Sequence, residues 1–151
     1  MSTTLHAPDL TQRPPRSARV RLGGYAILPR MLDKGRATLA GKNGPYHYDC
    51  PLDQRFLSFA GIDAGKLKEQ LALGKGDGEI LDWIQENAAN KPADWQIAQW
   101  TAWIEQRGPG DVGTKEFFTG ELAKYSKTRE DIVTWADLLD LDDHVSYGGQ
   151  A

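Results

Sequence analysis

The side chains best suited to chemistry are concentrated in residues 44–56, which read GPYHYDCPLDQRF. An imidazole titrates near neutral pH, and a thiol becomes a strong nucleophile once it is deprotonated. His47 as a general base and Cys50 as a nucleophile, with Asp49 between them, therefore form the candidate catalytic group. The alternatives at these positions are a buried structural cysteine and a hydrogen-bonded structural histidine.

The Cys50-Pro51 dipeptide indicates where a helix begins. Proline favours the first helical position and disfavours helical backbone in the residue before it, so Cys50 is predicted as the N-cap and Asp53 as the third helical residue. The unpaired N–H groups of a first turn favour a thiolate at the N-cap, whereas the carboxylates of Asp49 and Asp53 disfavour it. The spacing alone leaves both a reactive and a structural cysteine open.

Arginines and tyrosines around this turn can form a pocket for a small anion. Clustered guanidinium groups grip carboxylate or phosphate through paired hydrogen bonds, and tyrosines add apolar area with one polar tip each. The partner expected here is a small anionic ligand, and the sequence predicts no cofactor and no metal site. The predicted ligand-binding residues are Arg19, Arg21, Tyr25, Tyr46, Tyr48 and Arg55, with Arg30 beside them.

Charge is distributed unevenly along the chain. Residues 13–42 contain eight basic residues and one acidic residue, whereas the rest of the chain contains 10 basic and 20 acidic residues. Either the basic segment packs onto acidic partners in the same domain, or it contributes to the anion pocket. Since the sequence pI is about 5.6 and no zinc spacing or RNA-binding aromatic motif is present, nucleic acid is not an expected partner.

Length and composition indicate one globular domain. A chain of 151 residues with 40% hydrophobic and 26% charged residues can bury a core of its own. No apolar run reaches the ~20 residues of a membrane span, and residues 1–8 lack the apolar segment of a secretory signal. Since a single cysteine excludes an internal disulfide, we expect a cytoplasmic protein that does not contact membranes.

Apolar periodicity and capping residues predict about seven short helices and no strand. Leu28, Leu32, Gly35 and Leu39 form one helical stripe, on which Gly35 predicts a close helix crossing. Thr134 to Asp137 is a capping box that introduces the last helix. We interpret the acidic residues of that helix, Asp137, Asp140, Asp142 and Asp143, as a solvated helix end. The other helices are expected to begin near Cys50, Asp63, Asp77, Pro92 and residue 112.

The expected architecture is all-α, a single compact domain over residues 19–145. A flexible, extended arm over residues 1–18 precedes it, because three prolines disfavour helix there, and a flexible tail over residues 146–151 follows. The sequence leaves the oligomeric state open. A second function is compatible with this fold, namely a helical protein-protein interaction module without catalytic activity, in which one or two of the five tryptophans meet a partner.

Several short phrases of the sequence occur together in one known family. The chain resembles the bacterial family called domain of unknown function 5069 over about residues 9–142. The resemblance implies no activity, substrate or catalytic residue. It is carried by Pro15-Arg16-Ser17, Leu22-Gly23-Gly24-Tyr25, Asp33-Lys34, Tyr46, Cys50 to Arg55, Gly61-Ile62 and Thr134 to Asp140.

Overall fold

The structure is a computed structural model that describes residues 5–151. These residues form seven α-helices and the loops between them. The β-type pairing in these residues is a single bridge between Leu22 and Tyr25, so the predicted all-α fold is confirmed. Among the described residues, no helix is both long and apolar enough to cross a membrane. The helices are α1 (Leu28–Leu39), α2 (Pro51–Ala60), α3 (Ala64–Ala72), α4 (Asp77–Asn87), α5 (Asp94–Gln106), α6 (Val112–Tyr125) and α7 (Trp135–Ser146).

Capping side chains fix the starts of α3 and α7 where the sequence predicted them. Asp63 accepts a hydrogen bond from the Lys66 N–H at 2.9 Å, and Thr134 accepts one from the Asp137 N–H at 3.0 Å. The prediction that α5 begins at Pro92 was wrong by two residues. The Gln96 side chain accepts a hydrogen bond from the Ala93 N–H at 2.8 Å, which makes Ala93 the N-cap.

Apolar side chains form two main clusters. The larger joins α1 to α5 and includes the fully buried Leu32, Phe56 and Leu71. The smaller joins α6 to α7 through Phe118, Leu138 and Leu141. Because burial of apolar area is the main favourable term in folding, the two clusters define two packed bodies within one domain.

The predicted close crossing at Gly35 lies between α1 and α3. A Cβ atom on Gly35 would lie 2.6 Å from Leu71 Cδ1 and 3.2 Å from the Tyr48 ring. A side chain at this position would therefore push the two helices apart.

The basic segment, residues 13–42, packs onto carboxylates of its own domain. Arg16 pairs with Asp33 at 3.0 Å and with Asp77 at 2.7 Å. Six further pairs follow the same pattern, and together they agree with the first of the two interpretations of the charge asymmetry. They are Arg19 with Asp137 and Asp140, Arg21 with Glu105, Arg30 with Asp143, Lys34 with Asp53, and Arg36 with Asp77.

Residues 5–18, the described part of the predicted arm, lie against the helices. Leu10 is fully buried, its N–H donates to the Lys42 carbonyl at 2.9 Å, and its carbonyl accepts from the Tyr147 hydroxyl at 2.5 Å. Packing against the helices therefore extends into the predicted arm, beyond its boundary at residue 18. Residues 1–4 of the predicted arm lie outside the described residues.

Candidate functional site

A cavity of about 700 Å³ lies beside the Cys50 turn, and we call it the thiol cavity. This volume is typical of small-molecule sites. Four cations line it: Arg30 and Lys34 from α1, Arg55 from α2 and Arg107 after α5. The remaining lining residues are Pro45, Tyr46, His47, Cys50, Pro51, Leu52, Phe117, Glu121, Tyr125, Trp135, Leu138, Leu139, Asp142 and Ser146.

A second cavity of similar volume, about 720 Å³, lies between residues 5–16 and the link from α3 to α4. Arg16 and Arg36 line it and form ion pairs with Asp33 and Asp77, and Arg13 and Lys75 also line it. Cations that already have counter-ions gain little from a further anion. The thiol cavity is the better candidate site, because it also contains the Cys50 thiol and the His47 imidazole.

The Cys50 turn is held by the buried carboxylate of Asp53. Its Oδ2 accepts hydrogen bonds from the backbone N–H groups of Asp49 at 3.0 Å and Cys50 at 3.3 Å. The ammonium group of Lys34, with a side chain only 4% exposed, donates to Asp53 Oδ1 at 3.0 Å and to Cys50 Sγ at 3.2 Å. Cys50 is the N-cap of α2, as predicted, and its half-buried sulfur faces a cation that Asp53 partly neutralises.

The buried carboxylate of Asp143 holds Tyr46 in the wall of the thiol cavity. The Tyr46 hydroxyl donates to Asp143 Oδ1 at 2.7 Å, and the Arg30 guanidinium donates to Asp143 Oδ2 at 2.8 Å. Burial and then the hydrogen bond with Asp143 raise the pKa of Tyr46, which keeps the phenol protonated. The interpretation of the acidic run as a solvated helix end was wrong for Asp143, because this carboxylate is buried against Arg30.

Arg55 and Arg107 differ from the other cations of the thiol cavity, because neither forms an ion pair with any residue in 5–151. Both guanidinium groups lie over the indole of Trp103, at 5.5 Å and 5.4 Å from the ring centroid. Burial and then the charge of Arg55 lower the pKa of Arg107. Two like charges thus lie close together without a carboxylate to balance them.

Five residues predicted for the site line the thiol cavity, namely Arg30, Tyr46, His47, Cys50 and Arg55. His47 is exposed there, and no hydrogen bond among the described residues joins it to Cys50 or to Asp49. A preformed His47–Cys50 pair is therefore not part of this geometry.

Arg19 and Arg21 do not take part in the thiol cavity. Arg19 donates to Asp137 and Asp140 on α7, and Arg21 donates to Glu105 on α5 at 2.8 Å. Each guanidinium pairs with acidic side chains of the helix that its own segment of the chain contacts, which is α7 for Arg19 and α5 for Arg21. Of the four arginines predicted to converge, Arg30 and Arg55 line the thiol cavity, and Arg19 and Arg21 do not.

Three more predicted residues lie away from the cavity lining. Tyr25 is a core residue, only 4% exposed, with its ring centroid 5.0 Å from that of Phe56. Tyr48 packs on α3 and its hydroxyl donates to the Ala64 carbonyl at 2.7 Å. Asp49 has a left-handed backbone, φ 66°, and its carboxylate accepts from the Gln54 amide. None of the three lines the thiol cavity.

Lys34, Arg107 and the apolar residues of α6 and α7 that line the cavity were not predicted as site residues. Lys34 follows Arg30 by four residues, so both lie on one face of α1, and two cations at that spacing need carboxylate partners to be stable. The four-residue spacing of these two cations is therefore a sequence signal by which Lys34 could have been found. Arg107 follows the last residue of α5, and nothing local relates it to Arg55, which lies 52 positions earlier.

Comparison with known families gives one match. A family model described as Domain of unknown function (DUF5069) matches residues 12–145, which is most of the chain. No curated protein matches the chain.

Proposed function

Because this chain belongs to the family described as Domain of unknown function (DUF5069), whose description carries no activity, we propose a function from the thiol cavity itself. The cavity binds a small anionic metabolite, and Arg55 and Arg107 hold its negatively charged group. The observation that carries the proposal is the pair of neighbouring guanidinium groups without carboxylate partners, both lining one cavity of about 700 Å³.

Electrostatic attraction would hold the anion at Arg55 and Arg107. Two adjacent cations raise each other's free energy, and an oxyanion that contacts both removes that repulsion while it gains charge-assisted hydrogen bonds. Stacking on Trp103 limits the motion of both guanidinium planes, so less conformational entropy is lost when the anion binds. Arg30 and Lys34 add positive potential, although Asp143 and Asp53 neutralise most of it.

Thiol or acid-base chemistry at the same place is the second part of the proposal. Cys50 lines the cavity, its sulfur accepts a hydrogen bond from Lys34 at 3.2 Å, and His47 is exposed on the same cavity. A bound anion would lie in a space that a thiol and an imidazole also reach. The proposed setting is the cytoplasm, where an unpaired cysteine stays reduced.

A thermal-shift screen tests the proposal. Phosphate, simple carboxylates and nucleotides are screened, and at least one is expected to raise the melting temperature of the wild type. The shift is expected to disappear in Arg55→Ala and to persist in Arg129→Ala, since Arg129 is paired with Asp131 outside the cavity. If the two variants respond alike, Arg55 has no part in binding.

A helical interaction module is the competing function. Exposed apolar side chains favour it: Trp95 is 62% exposed, Phe117 61% and Val133 62%. Large exposed apolar side chains that lie together mark interaction surfaces. This alternative predicts that no anion in the screen raises the melting temperature.

A further inference from the structure

The walls of the thiol cavity differ in chemistry. The cations come from α1, α2 and the residue after α5, whereas α6 and α7 supply apolar side chains. Phe118, behind this wall, is buried and packs on Trp135, with ring centroids 5.2 Å apart. The wall is therefore backed by a packed core. Its cavity-lining side chains are Phe117, Tyr125, Trp135, Leu138 and Leu139.

Phe117 stands out on this wall because it is 61% exposed although it lines a cavity. Its ring centroid lies 6.4 Å from that of Trp135, so the two rings border one apolar surface. Water against such a surface is unfavourable, and an apolar group of a ligand that covered it would be stabilised.

Two carboxylates on the same wall restrict where a negative charge can lie. Glu121 pairs with Lys124 at 2.6 Å on the surface of α6, and Asp142 accepts from the Ser146 hydroxyl at 2.8 Å on α7. Both also line the cavity and would repel an anionic group placed against α6 or α7. A ligand that carries a negative charge at both ends is thereby disfavoured.

We infer that the ligand of the thiol cavity is an amphipathic organic anion, with one oxyanion group held by Arg55 and Arg107 and an aromatic or aliphatic body held against Phe117, Trp135 and Leu139. This inference rests on the proposed function, since it requires that an anion binds there at all. It adds that the apolar body supplies much of the affinity and that the anionic group lies away from Glu121 and Asp142.

Isothermal titration calorimetry with a graded series of probes tests this inference. The probes are inorganic phosphate, phenyl phosphate, 2-naphthyl phosphate and the neutral 2-naphthol. Because each added ring buries further apolar area, the affinity is expected to rise about tenfold from phosphate to phenyl phosphate and again to naphthyl phosphate. The neutral 2-naphthol is expected to bind at least about tenfold more weakly than naphthyl phosphate, because it lacks the charge-assisted hydrogen bonds.

Phe117→Ala and Val112→Ala are the matched variants. Both side chains are on α6 and exposed, Phe117 by 61% and Val112 by 74%, so neither substitution opens the core. Val112 does not line the thiol cavity. Phe117→Ala is expected to weaken naphthyl phosphate several-fold while phosphate affinity stays unchanged, and Val112→Ala is expected to leave both affinities unchanged.

The outcomes separate this inference from the proposed function. Equal affinities for phosphate and naphthyl phosphate, both lost in Arg55→Gln, would overturn the amphipathic ligand and leave the anion site standing. An unchanged affinity of Phe117→Ala for naphthyl phosphate would likewise overturn the role of the apolar wall. Binding of no probe at millimolar concentration, or equal binding of 2-naphthol and naphthyl phosphate, would overturn the anion site and this inference with it.

Discussion

Arg30 and Asp143 form a buried ion pair between α1 and α7, with 2.8 Å between Nη1 and Oδ2 and side chains that are 4% and 9% exposed. They lie 113 positions apart in the chain. The same carboxylate accepts the Tyr46 hydroxyl, so one side chain of the last helix joins the first helix and the loop before Cys50. The thiol cavity thus has one wall whose position depends on Asp143.

We expect Asp143→Asn to destabilise the fold strongly. The substitution keeps the size of the side chain but leaves the buried charge of Arg30 without a counter-ion, which costs about 3 kcal/mol or more of unfolding free energy. Asp131→Asn is the matched control, because it breaks the Arg129 pair on the surface, where Asp131 is 66% exposed and solvent screens the charges. Urea denaturation measures both, and a similar loss in the two variants would contradict the account of the buried pair.

The helices of this fold could be predicted from the sequence, whereas their pairing could not. Caps such as Asp63 and Thr134 act within one turn, so local sequence is sufficient to find them. The partner of Asp143 depends on how α7 crosses α1, and no local pattern encodes that crossing. This is why a carboxylate interpreted as solvated is buried.

The residues of the candidate site also divide into those that could be predicted from the sequence and those that could not. Tyr46, His47, Cys50 and Arg55 lie within ten consecutive positions, so a turn followed by a helix start brings them to one cavity. Arg19 and Arg107 could not be assigned from sequence, because their surroundings are set by α7 and by Trp103. Tyr25 was predicted as a ligand contact from its type alone, and its burial in the aromatic core comes from packing with Phe56.

Two glycine substitutions are expected to change stability in opposite directions. Gly35→Ala should destabilise the fold by about 1–3 kcal/mol, since the new methyl group would lie 2.6 Å from Leu71 in a packed core. Gly120→Ala in the middle of α6 should stabilise it by about 0.5–1 kcal/mol, because alanine is the better helix former and nothing lies within 4 Å. Thermal unfolding followed by circular dichroism measures both. A gain in stability for Gly35→Ala would show that α1 and α3 are less tightly packed than described.

Acid should weaken the fold in part through Asp77. Burial favours the neutral form of this carboxyl, but hydrogen bonds and charges from Arg16 and Arg36 outweigh it and hold the pKa of Asp77 below its ordinary value of 3.8. Since the unfolded chain titrates at the ordinary value, the stability that Asp77 contributes is complete above that value and is lost as the pH falls through the lower folded pKa.

The expected result is a steeper loss of unfolding free energy in the wild type than in Asp77→Asn between about pH 5 and pH 2. The variant lacks the titrating carboxyl, so it should be the less stable protein at neutral pH and should approach the wild type in acid. Chemical denaturation at a series of pH values measures the difference. Parallel curves for the two proteins would mean that Asp77 titrates alike in the folded and unfolded chains.

Ligand binding should protect Cys50 from alkylation. Cys50 lines the thiol cavity, so a bound naphthyl phosphate would block access of iodoacetamide to the sulfur. Because the chain has one cysteine, mass spectrometry follows the reaction without ambiguity. The rate is expected to fall several-fold at saturating ligand in the wild type and in Arg21→Gln, but not in Arg55→Gln at the same ligand concentration. Protection that is equal in all three proteins would show that Arg55 does not hold the ligand, and no protection in the wild type would place the ligand outside the thiol cavity.

The side-chain Nε–Hε resonances of the arginines, followed by nuclear magnetic resonance during a titration with naphthyl phosphate, test the central claim most directly. The account predicts saturable shifts at Arg55 and Arg107, with a shared dissociation constant, and no comparable shift at Arg13, Arg21 or Arg129. Resonances of Arg55 and Arg107 that stay unchanged while Arg13 shifts would place the anion at the other cavity and contradict the account.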